Sequence, residues 1–418
     1  MKEDCISISS HTKVQDVIKD FIDYQEEYPF FICDINDLIY KVELWKKLFP
    51  RVEPHYAVKC NNYKTVIQVL AALGLGFDCA SRFEIDEVLS VGVDPSKIIF
   101  AHTCKPVNHI KYAATKNVSL MTLDCKEEIY KIKTHFSRAQ IVLRIKYDDP
   151  NASCIFGDKF GCDPYIEAEE ILKVALEQNL KVVGVSFHIG SGSKTAETFY
   201  GAIKAARYVF DIAIKLGHNL NLLDIGGGFP GRHDDLILSY AKSINDALNE
   251  YFPDQSVRII SEPGTYFVES TFTLACCVQS VKEKNQIDAP THYNYYINDG
   301  VFGNLSGIIS YHIEYVPRPV KIMEDELYIS TVWGPTCDII DKVCDNILLP
   351  KMSVGDWLII DNIGNYSSVV ATSFNGFGST ITYSIINPKN KLLLENTGIF
   401  KSNYFIDLKT NECHPTIT

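Results

Sequence analysis

LNLLDIGGGFPG (220–231) is an apolar run that ends in three consecutive glycines, and two folds compete for it. Gly226, Gly228 and Gly231 satisfy G-x-G-x-x-G, the pattern in which a strand turns into a helix beneath a dinucleotide's pyrophosphate. Pro230 argues against that reading, because a helix-opening turn presents backbone N–H donors and proline has none. The glycines also come late in the chain. The competing reading is a barrel loop whose bare N–H groups hold a single phosphate, a loop that in parallel barrels follows strands seven and eight.

The sequence upstream and downstream supports the barrel. HYAVKC (55–60), GFDCAS (76–81), IIFAH (98–102), LMTLD (120–124), QIVLRI (140–145), VVGVSFHI (182–189), LNLLDI (220–225) and RIISEPG (258–264) are short and rich in β-branched residues. Most are continuously apolar, as strands buried on both faces are. Helical patterns lie between them, among them 62–74, 165–179 and 234–252. Eight strands alternating with helices predict an α/β fold, a (β/α)8 barrel spanning 31–268. A doubly wound open sheet fits the pattern as well. Past about residue 270 the runs TFTLACCVQSVKEK, HYNYYINDG, ELYISTVWG, DWLIIDN and TITYSIINP read as strands with little helical period. They predict a C-terminal all-β domain over 269–418. CISISS, in the segment 1–30, is expected to add a strand to it.

The 418 residues are 46% hydrophobic and carry a net charge of -12 with a pI near 5.4. Such a chain repels nucleic acid and anionic membranes. MKEDCISISSHTK lacks the apolar core of a signal peptide, and no stretch nears the roughly 20 apolar residues of a membrane span, so a cytoplasmic protein is expected. The thirteen cysteines include no C-x-x-C pair, which suits reduced thiols better than a disulfide framework. No H-E-x-x-H or paired Cys/His spacing points to a metal.

Function in a barrel sits at the carboxyl ends of its strands. Lys59 ends the first, Asp78 falls within the second, Arg144 lies near the end of the fifth and His188 ends the sixth. Gly226, Gly227 and Gly228 follow the seventh and Glu262 ends the eighth. Singly these are a solvated lysine cap, a core histidine and a turn carboxylate. Together, a phosphate loop and a strand-end lysine suggest pyridoxal 5'-phosphate, whose aldehyde a lysine amine can hold. Glu262 is the candidate to face the ring nitrogen, His188 to pack on the ring, and SGS (191–193) to add hydroxyl donors.

HYAVKCN (55–61), FDCAS (77–81), FHIGSG (187–192), LLDIGGGFPG (222–231) and EPG (262–264) resemble the alanine-racemase-fold decarboxylases that use pyridoxal phosphate. YYINDGVFG (295–303), WGPTCD (333–338) and FNGF (374–377) are similar to the eukaryotic ornithine decarboxylase branch of that family. The resemblance covers nearly the whole chain in order. It implies decarboxylation of L-ornithine to putrescine, the first step of polyamine biosynthesis. It also implies roles: Lys59 carries the cofactor, and Asp78, Glu84 and Arg144 position it. His188 stacks on the ring, Ser191, the Gly226–Gly228 loop and Tyr366 hold the phosphate, and Glu262 pairs with the ring nitrogen. Cys337 returns a proton to the α-carbon, Asp338 binds the substrate's distal ammonium, and Tyr311 and Phe374 border the substrate. In this family two subunits share each site, so a homodimer is implied, with Lys159 and Asp341 at positions that pair across it. Antizyme is a further candidate partner, through the region Lys116–Arg138.

Two positions depart from the family pattern. The motif Glu-Pro-Gly-Arg ends here in Thr265, which exchanges a charge-assisted phosphate contact for a neutral hydroxyl. The Tyr-Asp pair that follows NDGVFG aligns with Ser310 and Tyr311, so one acid for the distal amine is missing. These changes keep two alternatives open: a decarboxylase of arginine or lysine, and a regulatory relative of the antizyme-inhibitor kind.

Overall fold

The computed structural model describes residues 5–9, 11–23, 27–284, 291–321, 326–378, 380–398, 400 and, as backbone, 405–407. The chain divides into one unit, Lys41–Phe267, and a second formed by the segments on either side of it.

The first unit is a closed barrel. β1 (Val52–Ala57), β2 (Gly76–Cys79), β3 (Ile98–Phe100), β4 (Leu120–Leu123), β5 (Gln140–Arg144), β6 (Lys181–Ser186), β7 (Leu222–Asp224) and β8 (Arg258–Ser261) pair in parallel in that order. β8 returns to β1 with Ile259 opposite Val52 and Ser261 opposite Pro54. Ile99, Val142, Val183, Leu222 and Ile260 form a buried cluster contributed by alternate positions of these strands. Each such side chain removed from water contributes about 1.5–3 kcal/mol, which is why the strands tolerate few polar residues before their carboxyl ends. Helices return the chain between strands. In Glu197–Leu216, Phe199, Ala202, Ile203, Ala206, Val209, Phe210 and Ala213 recur at helical spacing and form the buried face. That helix stops at Gly217, whose φ of 102° is the left-handed conformation a helix end uses. The glycine run 226–228 precedes the helix Leu236–Tyr251 by a loop containing Pro230, so it does not open that helix and the dinucleotide reading falls.

The second unit is a ten-stranded sheet with both parallel and antiparallel pairs. The long strand Phe272–Lys284 organises it, pairing with Phe30–Asp34 and Trp357–Ile360 through its first half and with His292–Ile297 through its second. Cys5–Ser7 pairs in parallel with Ile381–Ile386 and with 405–407. Two features differ from the sequence expectation. The barrel does not begin at residue 31: FFICD (30–34) belongs to the sheet, because a run buried on both faces reads alike in either sheet. The unit also contains helices, Val14–Ile22 and Pro388–Glu395. The first turns Val17 and Ile18 into a cluster with Phe30, Ile32, Tyr383 and Ile385.

Candidate active site

The carboxyl ends of the barrel strands hold the candidate residues. Lys59 lies in a single 3-10 turn, Val58–Cys60, beyond β1 rather than on the strand itself. Two backbone bonds fix that turn: the Ala57 N–H donates to the Pro263 carbonyl at 3.2 Å, and the Asn61 N–H to the Val58 carbonyl at 3.1 Å. The Lys59 ammonium donates to Oδ2 of Asp78, which is fully buried on β2, while the lysine side chain stays 39% exposed. A buried carboxylate therefore anchors an amine that still reaches outward. Among the described residues, Oδ1 of Asp78 has no hydrogen-bond partner.

Glu84 opens the helix Arg82–Ser90 behind its N-cap, Ser81. Its carboxylate accepts the Ala80 N–H at 2.5 Å. Burial, together with the negative charge of Asp78, pushes the Glu84 carboxyl from an ordinary 4.5 up to about 7.

His188 follows β6. Its Nδ1 accepts the Gly190 N–H at 3.1 Å, which assigns the ring proton to Nε2. Burial, then the cations Arg144 and Lys59, hold this histidine well below its usual range, so the ring is neutral. Phe156 meets it edge-on at 5.0 Å, and the Arg144 guanidinium lies 5.0 Å from the Phe160 ring. Ser191 is tied to Cys154 by reciprocal backbone bonds of 3.0 and 3.1 Å, which hold the loop after His188 in place.

The glycine loop tolerates no side chains. Gly226 (φ 64°) would bring a Cβ within 2.1 Å of the Phe187 carbonyl, and Gly228 (φ 102°) within 2.6 Å of the Gly190 carbonyl. At Gly227 a Cβ would stand 2.9 Å from Nε2 of His188. Glycine is needed here both for the left-handed turns and for the close approach of backbone to backbone. Beside the loop, Glu262 follows β8 and Asp224 ends β7. The two carboxyls share a side-chain hydrogen bond, and among the described residues no N–H or hydroxyl donor reaches Oε1 of Glu262 or Oδ2 of Asp224. Burial pushes both carboxyls up, Asp224 to about 6, with the charge of Asp78 adding to the rise and the hydrogen bond with Glu262 opposing it, and Glu262 further, with the charges of Asp224 and Asp78 adding to the rise. Asp224 was missed as a site residue in the sequence reading. Its signal was an acid inside a strand otherwise apolar on both faces.

The other candidates lie in the second unit. Tyr311 and Tyr366 come together with ring centroids 5.2 Å apart, and Tyr366 has a φ of 47°, a conformation rare for an aromatic residue outside functional sites. Cys337 and Phe374 share one region: the Cys337 N–H donates to Oδ1 of Asn375 at 3.0 Å, and Phe374 packs on Phe302 at 4.6 Å. Asp338 accepts the Ile340 N–H at 3.0 Å and caps the loop. Asp341 is not a surface residue. It is 1% exposed and accepts from the Val301 N–H, the Thr336 N–H and the Thr336 hydroxyl at 2.8, 2.9 and 2.6 Å, so it organises the loop that displays Cys337. Thr265 places its hydroxyl 3.9 Å from Sγ of Cys60, beside the Lys59 turn.

The barrel rim combines an amine held by a buried carboxylate with a glycine loop that has no room for side chains, the arrangement of a barrel enzyme whose candidate site lies at the strand carboxyl ends. More particularly, the chain belongs to the pyridoxal-dependent decarboxylases: their pyridoxal binding domain matches residues 35–269. Ornithine decarboxylase 2 of Drosophila melanogaster is 43% identical over 83% of this chain and 88% of its own length. Antizyme inhibitor 2 of Xenopus laevis is 41% identical over 87% of this chain and 82% of its own. Among solved structures, the arginine decarboxylase of Paramecium bursaria Chlorella virus bound to agmatine superimposes with a TM-score of 0.86 at 36% identity, covering 89% of this chain and all of that one. Among the described residues no helix is long and apolar enough to cross a membrane.

The raised Glu84 carboxyl makes a pH prediction. A carboxyl whose folded value lies above its unfolded one contributes stability below the unfolded value and loses it as pH rises through the folded one. Wild type is therefore expected to lose stability against Glu84→Gln between about pH 4.5 and 7. Urea midpoints of the two proteins across that window check this, and a constant difference contradicts it.

Proposed function

We propose that this protein decarboxylates L-ornithine to putrescine and carbon dioxide, with pyridoxal phosphate held on the barrel rim. The carrying observation is the fully buried Glu262 carboxyl, which is hydrogen-bonded to the Asp224 carboxyl and whose Oε1 meets no N–H or hydroxyl donor among the described residues, in the same unit as the Lys59–Asp78 pair. A ring nitrogen carrying a proton satisfies that oxygen. The glycine loop, whose backbone leaves no room for side chains, suits a phosphate. The residues present thus fit the cofactor. Lys59 is the attachment point, Asp78 keeps its amine in place, and the neutral ring of His188 offers a flat face. Arg144, Ser191 and Gly226–Gly228 complete the cradle. When bound, pyridoxal phosphate supplies the electron sink that accepts the electron pair left by departing carbon dioxide.

The protein's own part is orientation and proton delivery. Cys337, an exposed thiol, is assigned the proton returned to the α-carbon, and Asp338 the substrate's distal ammonium. Both are assigned to act on the site of a second copy. Ile339 and Ile340, 79% and 52% exposed on the same loop, form an apolar tip that a homodimer would cover. Tyr311 stands where the family pattern has the acid of that pair and is assigned to border the substrate in its place. One remaining carboxylate favours ornithine less strongly than two would, and a longer basic amino acid is the alternative substrate.

Carbon dioxide release from carboxyl-labelled ornithine, arginine and lysine, with excess cofactor, tests this reading. Release from ornithine, abolished in Lys59→Ala, is expected. Release only from arginine or lysine moves the assignment to that substrate. No release from any of them turns it toward a regulatory relative, for which antizyme binding is the next assay. Thr265→Arg restores a charged, bidentate phosphate donor and is expected to tighten cofactor binding by about tenfold, the value of one charge-assisted hydrogen bond. An unchanged dissociation constant for Thr265→Arg would show that the threonine costs nothing.

A further inference from the structure

Asp224 is the buried acid that the assignments above leave without a task. It ends β7, has no exposed surface, and is joined to Glu262 through a single residue, Gly226. The Gly226 N–H donates to Oδ1 of Asp224 at 2.9 Å. The Gly226 carbonyl accepts the Glu262 N–H at 2.7 Å and the Ser261 hydroxyl at 2.6 Å. One residue of the glycine loop, through the two peptide groups that flank it, therefore fastens two acids side by side. A side-chain hydrogen bond also joins the two carboxyls, and among the described residues no N–H or hydroxyl donor reaches Oδ2 of Asp224 or Oε1 of Glu262.

We propose that Asp224 is a positioning residue of the cofactor site. One oxygen fixes the first glycine of the phosphate loop, and the other keeps a negative charge beside Glu262, so that the proton between Glu262 and the cofactor's ring nitrogen is retained. The inference rests on the function proposed above and deepens it. Two acids held together in a dry site with few cations are costly, and such sites are kept where the charge does chemical work.

The charged surroundings support this reading. Asp78 from β2, Arg144 from β5 and Glu262 beyond β8 face Asp224, while Asp224, Asp78 and the Lys59 ammonium beyond β1 face Glu262. The neutral His188 ring borders the loop at Gly227 and adds no charge. Glu262 thus sits among two other acids and one cation. Burial and then the charge of Asp224 are the leading reasons that it holds its proton. A nitrogen cation placed against Glu262 would feel the same negative field, and its proton would be harder to remove.

Asp224→Asn separates the two tasks, because it keeps an oxygen for the Gly226 N–H and removes the charge. In the holoenzyme, Asp224→Asn is expected to bind cofactor nearly as tightly as wild type. Loss of the ring-nitrogen proton, followed by the absorbance of the bound cofactor against pH, is expected to move down by about one to three units. kcat falls with it, and KM does not. Asp224→Ala loses the clamp as well and is expected to bind cofactor about tenfold more weakly. An Asp224→Asn holoenzyme that titrates like wild type overturns the proposal, since a clamp alone moves no pH profile. The cofactor-free protein provides a second arm. Asp224→Asn, Glu262→Gln and the double variant are unfolded at about pH 5 and about pH 8. Relief of repulsion predicts that each single variant gains stability against wild type at the higher pH, and that the double gains less than their sum. Strict additivity at both values contradicts the coupling. If wild type holds no cofactor, the underlying function fails, and this cycle alone decides whether Asp224 acts on Glu262.

Discussion

The closure of β8 on β1 is the constraint on which the site depends. It places the loop after β8 against the turn after β1, and the hydrogen bond from the Ala57 N–H to the Pro263 carbonyl joins them directly. Lys59 follows Ala57 by two residues, and Glu262 immediately precedes Pro263. A cation and a carboxyl far apart in sequence are thereby held on one rim. No local propensity brings them together. The parallel ladder does, and its stability comes from the apolar strands below.

Above those strands the chemistry reverses. Asp78, Asp224 and Glu262 are brought close together with few compensating charges, and the carboxyls of Asp224 and Glu262 are pushed up in consequence. Left alone, such a cluster is a burden on folding, because each buried oxygen without a partner forfeits its hydration. It is the arrangement expected of a site whose balance is completed by a bound group carrying a protonated nitrogen. On the function proposed above, the neutral His188 and the side-chain-free glycine loop serve the same end, a flat face and open backbone that bring no further charge to the cluster.

Much of this was readable in the chain. The Lys59, His188, glycine-loop and Glu262 positions follow from apolar runs ending in polar residues, a pattern that parallel barrels impose. What escaped the reading had physical reasons. FFICD (30–34) is buried on both faces, and periodicity does not say which sheet receives it. Val14–Ile22 is short, and its helix is stabilised by packing on Phe30 and Tyr383, partners remote in sequence. The burial of Asp341 was not legible because its donors, Val301 and Thr336, lie on two segments that only the folded chain brings to it. Asp224 was hidden by the glycines next to it, which attracted the attention that an acid in an apolar strand merits.

The central claim is that Lys59 carries pyridoxal phosphate. The most direct measurement is borohydride reduction of the cofactor-loaded protein, followed by mass spectrometry of its peptides. The account predicts one stable pyridoxyl adduct, on the peptide containing Lys59, and none in Lys59→Ala. An adduct confined to other lysines, or no adduct at saturating cofactor, would contradict it.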